Sequence, residues 1–376
     1  MYDGRSGRII EAVADASFRL ARVVKGYQPV YCLSDGLIAW RGNTLFRADL
    51  DLRHFEPICS LPVRGACLAR FSTRLLTRIL RFEIRSSVMI DDDTLLLAQR
   101  DMIFALTLSS GESRIDFRIP NGRRLLGLST VTQADGSRAA CFGEYLHNVD
   151  GSAVAIWRRD STGEWSRSAE FPPGTVDHIH NIVETPDGRV WVLVGDMEQR
   201  PGVWQSNSAL ERLEPIATGA QEYRACWLWQ APDGVCHYAT DSNIERNCLM
   251  RLAPGSDRFE RGEPLAGSSI HAGLSKSYVA FATSLEPGYF TGNTFRAITT
   301  RRPGAAFIGN CAHIHVIKDG RLETAFSARM DGWPLTLGQF PNFYFPAGMM
   351  PNDRFYAFGR SVRRYDGACL MFERTG

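Results

Sequence analysis

Hydrophobic and polar positions alternate along this chain in short runs, and between Ala139 and Phe259 one pattern recurs three times. The copies are Ala139–Trp165, Ile182–Glu214 and Tyr223–Phe259. In each, a hydrophobic strand ends in a polar or acidic element: Phe142-Gly143-Glu144-Tyr145, Val194-Gly195-Asp196 or Ala239-Thr240-Asp241. A short loop then leads into a further strand, such as Val154-Ala155-Ile156-Trp157 or Cys248-Leu249-Met250-Arg251. Polar residues precede the opening strand of two copies, as His178-Ile179-His180-Asn181 and Gln221-Glu222-Tyr223-Arg224. A strand-rich unit repeated every 45 residues or so, roughly, is the mark of a propeller or a solenoid.

Counting hydrophobic runs and turn signals over the whole chain gives about seven such units. The predicted fold class is therefore all-β: a β-propeller of seven blades, forming one domain over residues 1–376. Gly36–Trp40 with Thr44–Arg47 make a strand pair in the first unit, and Thr94–Ala98 with Met102–Leu108 one in the second. Tyr278–Thr283 marks the sixth, ahead of a long insertion. The seventh uses Phe343–Ala347, Arg354–Gly359 and Ala368–Phe372 and is one strand short. Phe18–Val24 would supply that strand and close the ring, hiding edges that an open sheet leaves unpaired. One stretch breaks the β pattern. In Ala66–Phe82 the residues Leu68, Phe71, Leu75, Ile79 and Phe82 fall at helical spacing, predicting an inserted amphipathic helix. Arg70, Arg74 and Arg78 form one basic stripe on it. The stripe could be solvated or paired with acids on the propeller, or could rest on anionic lipid or an acidic polymer.

The totals agree with this picture and narrow it. Hydrophobic content of 44% is enough for a core, and 34 Gly with 18 Pro punctuate many short elements. A formal net charge of +2 excludes a dedicated nucleic-acid binder, which carries a strong basic excess. Met1–Glu11 lacks a basic-then-apolar leader, and no apolar run reaches the roughly 18–20 residues that span a bilayer. The expected location is cytoplasmic, with peripheral contact at the inner membrane if the basic stripe meets lipid. Nine cysteines without CxxC spacing, several in apolar stretches, read as buried reduced thiols rather than disulfides or a zinc cluster.

Propeller geometry turns scattered polar residues into a constellation. The beginning of a blade's innermost strand and the end of its second strand lie on the same face. Strand beginnings offer His178, His180, Gln221, Arg224 and His271; second-strand ends offer Glu144, Tyr145, Asp196, Asp241 and Arg360. All should ring one mouth of the channel, where such folds place ligands. Alternate residues of a strand share a side, so the imidazoles of His178 and His180 should be neighbours. They could chelate a divalent metal with Gln221, His271 or a carboxylate completing the shell, or act as acid and base. They could also be satisfied by hydrogen bonds alone. His313-Ile314-His315 falls in an outer strand and reads as structural. Glu144, Asp196 and Asp241 could perform acid–base catalysis across a glycosidic bond, hold sugar hydroxyls, or cap turns. Glu144 is the one least suited to capping. Arg224, with Gln221, would suit an anionic group on the substrate, and Tyr145, Asn148, Asn247 and Arg360 could add contacts to a sugar.

Arg159-Asp160-Ser161-Thr162-Gly163-Glu164-Trp165 resembles the Asp-box hairpin, S/T-x-D-x-G-x-T-W, of sialidase-like propellers. Asp160 and Trp165 keep the family spacing, while the serine, threonine and glycine positions depart from it. Taken with Phe142–Tyr145, His178–Asn181, Gly195-Asp196, Gln221–Arg224 and Asp241, the stretch Ala139–Arg251 is similar to sialidase-superfamily propeller proteins. That resemblance implies the propeller fold and an association with carbohydrate. It does not imply sialidase activity. The family's three arginines do not map here, and adjacent Glu144 and Tyr145 would point to opposite sides of a strand. The expectation is a glycan-active enzyme, lyase or glycoside hydrolase, acting on an acidic oligosaccharide or lipid-linked glycan, with a divalent metal as candidate cofactor. The alternative is a non-catalytic propeller that binds a glycan or a protein.

Overall fold

A computed structural model of the chain describes residues 16–62, 74–120, 123–196, 200–288, 299–336 and 339–375. Its strands form seven sheets, antiparallel except for one added strand, the seven blades of a β-propeller. Blade 1 is Gln28–Cys32, Leu37–Arg41, Thr44–Ala48 and Phe55–Ser60, and blade 2 is Ser86–Met89, Thr94–Gln99, Met102–Thr107 and Ser113–Arg118. Blade 3 is Leu128–Thr132, Arg138–Gly143, Val154–Arg159 and Trp165–Phe171; blade 4 is His178–Glu184, Val190–Gly195, Gly202–Ser206 and Glu214–Thr218. Blade 5 is Trp229–Gln230, Cys236–Ala239, Cys248–Leu252 and Glu260–Pro264. Blade 6 is Ala272–Ser275, Tyr278–Thr283, Cys311–Lys318 and Arg321–Arg329, with Met349–Met350 added in parallel at its inner edge. Blade 7 takes Asn342–Tyr344, Arg354–Arg360 and Ala368–Arg374 from one end of the chain and Phe18–Lys25 from the other.

Burial explains why the second strands were the most legible. Each is sandwiched between two neighbouring sheets, so both of its faces are apolar. Leu95, Leu96, Leu97 and Ala98 of blade 2 are all buried, as is every residue of Val190–Gly195 in blade 4. Outermost strands face water and read as polar, Glu214–Thr218 being the clearest case. The first strands of six blades, with Cys226–Leu228 ahead of the first strand of blade 5, line a cavity of about 300 Å³ on the ring axis. Core clusters lie between blades rather than within them, joining for example Leu45 and Trp40 of blade 1 to Leu95 and Phe104 of blade 2.

Ring closure is secured by apolar packing as well as strand pairing. Phe18 pairs opposite Arg374 and Val24 opposite Cys369. Phe18 is 1% exposed, its ring 4.8 Å from that of Tyr278 and 5.2 Å from that of Phe355. The terminal strand therefore ties blade 7 to blade 6.

The inserted helix is present where it was expected, with one departure. Its described part is Arg74–Leu80; residues 63–73, including Leu68, Arg70 and Phe71, lie outside the described residues. Ile79, expected on the packed face, is exposed, whereas Arg78 is buried. Arg78 donates to Asp331 at 2.6 Å and to Ser361 at 2.7 Å, and Arg74 pairs with Glu83 at 2.7 Å and with Asp366 at 3.1 Å. Acids on the propeller turn Arg74 and Arg78 inward, because a buried guanidinium is tolerated only where it is paired. Arg74 and Arg78 are thus committed to protein carboxylates rather than to lipid. Among the described residues no helix is long and apolar enough to cross a membrane.

Two smaller expectations concern blades 3 and 6. In the Asp-box-like hairpin, the Asp160 carboxylate accepts the amides of Thr162 and Glu164, both at 2.9 Å, which fixes the turn. His313 bonds Ser327 at 2.7 Å, and His315 lies within 3.1 Å of Thr324 and 3.3 Å of Thr283. Burial pushes these two imidazoles down to about 4 and about 3, so they are neutral parts of the blade wall. The eight described cysteines are free thiols.

Phe18→Ala should destabilise the protein by about 3–5 kcal/mol, the cost of a large cavity in a well-packed site. Denaturant unfolding measures it; a loss below about 1 kcal/mol would mean that the terminal strand does not close the ring.

Candidate active site at the channel mouth

His178 opens the innermost strand of blade 4 and lies opposite Gly195, the last residue of the second strand. This register places Asp196 beside the two imidazoles. Gly195 is needed for it. A Cβ at that position would meet His180 Cε1 at 2.3 Å, so only glycine lets the ring lie against the backbone. Gly143 of blade 3 plays the same part for the strand itself, since a Cβ there would fall 2.2 Å from the Cβ of Ile179.

The hydrogen bonds of the two rings fix where their protons are. His178 Nδ1 lies 2.9 Å from the carbonyl of Leu146, and His180 Nδ1 lies 2.8 Å from the carbonyl of Ala225. A carbonyl can only accept, so both Nδ1 atoms carry hydrogen. In the neutral rings both Nε2 atoms are then lone pairs, yet they face each other at 3.0 Å. Asp196 adds two more acceptors, Oδ1 at 3.0 Å from His180 Nε2 and Oδ2 at 3.2 Å from His178 Nε2. Lone pairs and a carboxylate converge this closely only around a cation, either a shared proton or a metal. The separations fit a metal: cis ligands of an octahedral shell with bonds of about 2.1 Å lie about 3.0 Å apart.

Arg224 anchors the other side of Asp196. Its Nη2 lies 2.8 Å from Asp196 Oδ1 and 3.5 Å from Asp241 Oδ2. Burial raises the Asp196 carboxyl, but a cation shared with His178 and His180, in its least form one proton at Nε2, and the charge of Arg224 outweigh it and hold the group well below the usual range. Burial pushes His180 down, against the pull of Asp196, which keeps the ring neutral. Asp241 behaves oppositely. Burial, with Glu286 and Asp196 nearby, drives its carboxyl well above the ordinary value despite Arg224. Burial raises Glu286 as well, and its carboxylate accepts from Ser268 at 2.6 Å. The Cys226 thiol donates to Asp241 Oδ2 at 3.2 Å and is itself pushed well up by burial.

Of the residues singled out in the sequence, the structure brings His178, His180, Asp196, Arg224, Asp241 and Tyr145 together. The Tyr145 ring lies 4.2 Å from that of His178. Others are turned away. Glu144 is fully buried and committed to Arg123, to Trp157 Nε1 at 2.9 Å and to the amide of Ala155 at 3.0 Å, so it is structural rather than catalytic. Asn148 closes its own loop through Ser152 at 2.8 Å, and Asn247 does the same through Thr240 at 2.9 Å and Ser242 at 2.8 Å. Neither is placed to contact a sugar. Gln221 donates to the carbonyl of Asp196 at 3.0 Å and accepts from Ser242 at 2.9 Å, so it supports the turn and is not a metal ligand. His271 sits two blades further round, its ring 4.0 Å from that of Tyr344, outside the group formed by His178, His180 and Asp196. Arg360 caps the face of Tyr344 at 3.7 Å and reaches Glu83 at 3.8 Å.

These groups open onto a cavity of about 360 Å³ at the mouth. Its wall includes four guanidinium groups that the sequence did not single out, those of Arg81, Arg85, Arg100 and Arg124. Arg85 lies over the Tyr145 ring at 5.1 Å, and Arg124 stands at the strand bridge to Tyr145. Among the described residues neither has a carboxylate partner, in contrast to Arg224, which Asp196 and Asp241 occupy. Arg85 and Arg124 therefore present positive charge to the mouth. Single arginines between strands carry no spacing signal, and only the ring arrangement collects them.

No protein-family model matches the sequence, and no curated protein matches it. Among solved structures the chain is similar to oligogalacturonate lyase from Vibrio parahaemolyticus, at 10% identity and a TM-score of 0.53, over 94% of this chain and 90% of that one. It is also similar to the extracellular domain of a protein described as a hybrid two-component system from B. thetaiotaomicron. There the identity is 12% and the TM-score 0.52, over 92% of this chain and 39% of that one. At such identities the likeness is one of fold, the propeller, and membership of the sialidase superfamily does not follow from it.

Arg224→Met should cost about 3–5 kcal/mol, because it leaves buried carboxylates without their counter-charge. Denaturant midpoints at neutral pH measure this; an unchanged midpoint would contradict the ion-pair arrangement around Asp196.

Proposed function

We propose that this chain is a carbohydrate-active enzyme that cleaves or modifies an acidic saccharide at the channel mouth, with His178, His180 and Asp196 as a metal-binding centre. One observation carries the reading. Two imidazole lone pairs and a carboxylate converge at 3.0–3.2 Å beside guanidinium groups that have no carboxylate of their own. A divalent cation held by these three side chains would supply Lewis-acid polarisation of a substrate oxygen. The remaining work belongs to the chain. Arg85 and Arg124 attract and orient an anionic group, which a guanidinium can bind through two parallel hydrogen bonds. Arg224 fixes Asp196 and does not reach for substrate. Asp241 retains a proton through burial and can donate it at the cavity wall. The Tyr145 ring offers a flat face for a sugar.

The fold neighbour from Vibrio parahaemolyticus is described as a lyase of oligogalacturonate, a saccharide with a carboxylate on each ring. That activity is compatible with the arginine-lined mouth and is no more than supporting context. A propeller that merely binds a glycan or a protein would have no use for bare imidazole nitrogens packed on a carboxylate. Such groupings are costly and concentrate at functional sites.

Elemental mass spectrometry of the purified protein, beside a His178→Ala/His180→Ala variant and an Asp196→Asn variant, tests the centre. Close to one equivalent of divalent metal in the parent, and little in either variant, is the expected result. A parent that stays metal-free after growth with manganese and zinc would remove the metal from the proposal.

A further inference from the structure

His271 is the histidine of the mouth that differs from the rest. His178 and His180 have every ring nitrogen engaged, whereas the His271 ring forms no side-chain hydrogen bond among the described residues and meets Tyr344 in a tilted ring contact at 4.0 Å. It lines the same cavity as Arg85, Arg360 and Asp196. Its backbone is fixed at the start of blade 6, where its carbonyl accepts the amide of Ala282 at 3.0 Å.

The groups around it come from several blades. Arg360 and Tyr344 belong to blade 7, Arg85 precedes the first strand of blade 2, and Glu286 and Arg224 share the cavity from blades 6 and 5. Burial, reinforced by the charges of Arg360 and Arg85, holds the imidazole well below its ordinary range and keeps it neutral, and an anionic group bound at these arginines would offset their charge and let the ring accept a proton. The carboxylates are poorly placed for that task. Asp196 is bound by His178, His180 and Arg224, Asp241 carries its own proton, and Glu286 accepts from Ser268.

We infer that His271 is the proton acceptor of the site and that the reaction is a β-elimination on a uronic acid residue, with Arg85 holding the sugar carboxylate. This inference rests on the proposed function and selects between its lyase and hydrolase forms. Hydrolysis would call for two freely acting carboxyl groups astride the glycosidic bond. Elimination calls for a neutral base and a cation beside it, because charge builds on the carboxylate as the neighbouring carbon loses its proton. In the step, the imidazole takes the hydrogen from the ring carbon bearing the carboxylate. The C–H electron pair becomes a carbon–carbon double bond, the bond from the next carbon to the glycosidic oxygen breaks, and that oxygen takes a proton from water. The imidazolium then returns its proton to water, and no oxidant or reductant is consumed.

The test uses the full chain, supplied with manganese, and short oligosaccharides of galacturonate, glucuronate and mannuronate. Calorimetry reads binding, and ultraviolet absorbance reads the conjugated unsaturated product. The expected result is that at least one uronate binds and gives the unsaturated product. His271→Gln should then lower kcat by about 10²–10⁴-fold with little change in KM, and His271→Gly should be partly rescued by added imidazole. Arg85→Ala should instead weaken binding. Binding without any unsaturated product overturns the elimination and leaves the proposed function standing, with hydrolysis as its form. No binding of any uronate overturns both. Product formation undiminished in a folded His271→Gln protein overturns the role of His271 alone.

Discussion

Everything at the mouth of this propeller depends on an excess of acceptors. Two main-chain carbonyls, of Leu146 and Ala225, take the only hydrogen that each neutral imidazole of His178 and His180 possesses. What remains, two Nε2 lone pairs and the Asp196 carboxylate, would repel if nothing positive lay among them. Arg224 relieves Asp196 from one side, at 2.8 Å, but does not reach the gap between the imidazoles. The arrangement is stable only with a cation at its centre. A site that holds this much unbalanced electron density in a low-dielectric wall is costly to build, and the fold supplies the compensation through ring closure and inter-blade packing.

The propeller assembles such a site without long connections. Each blade contributes a strand beginning and a strand end to the same face, so residues far apart in sequence become neighbours without any long loop. His178 and Asp196 meet through a register in which His178 faces Gly195. Arg224 and Asp241 meet because the backbone amide of Asp241 bonds the carbonyl of Arg224 at 2.9 Å. Small residues do the fine adjustment: Gly195 leaves room for the His180 ring, and Gly143 leaves room for Ile179.

Much of the architecture was legible because burial on both faces writes continuous hydrophobic runs into second strands, and because polar residues recur at their ends. The same logic gathered His178, His180, Asp196, Arg224 and Asp241 correctly at one mouth. It failed where a side chain's direction depends on its neighbours. Glu144 and Tyr145 share a strand end, but Arg123 and Trp157 draw the glutamate into the wall while the tyrosine faces the cavity. The helix pattern held for Phe82 and missed Ile79, since Asp331 and Asp366 draw Arg78 to the inward face. Gln221 was drawn to the right corner but to a supporting task. Arg85, Arg124 and Glu286 stood alone in the sequence, with no spacing to mark them, and became visible only once the ring was closed.

The central claim concerns protons, so the most direct test observes them. Long-range proton–nitrogen correlation spectra of protein labelled at histidine distinguish which ring nitrogen carries hydrogen. The account predicts that His178 and His180 are both protonated at Nδ1, with at most one proton between their two Nε2 atoms and none once metal is bound. A spectrum showing either ring with a bare Nδ1 and a protonated Nε2 would contradict it, because the carbonyls of Leu146 and Ala225 would then not be setting the lone pairs that the site is built around.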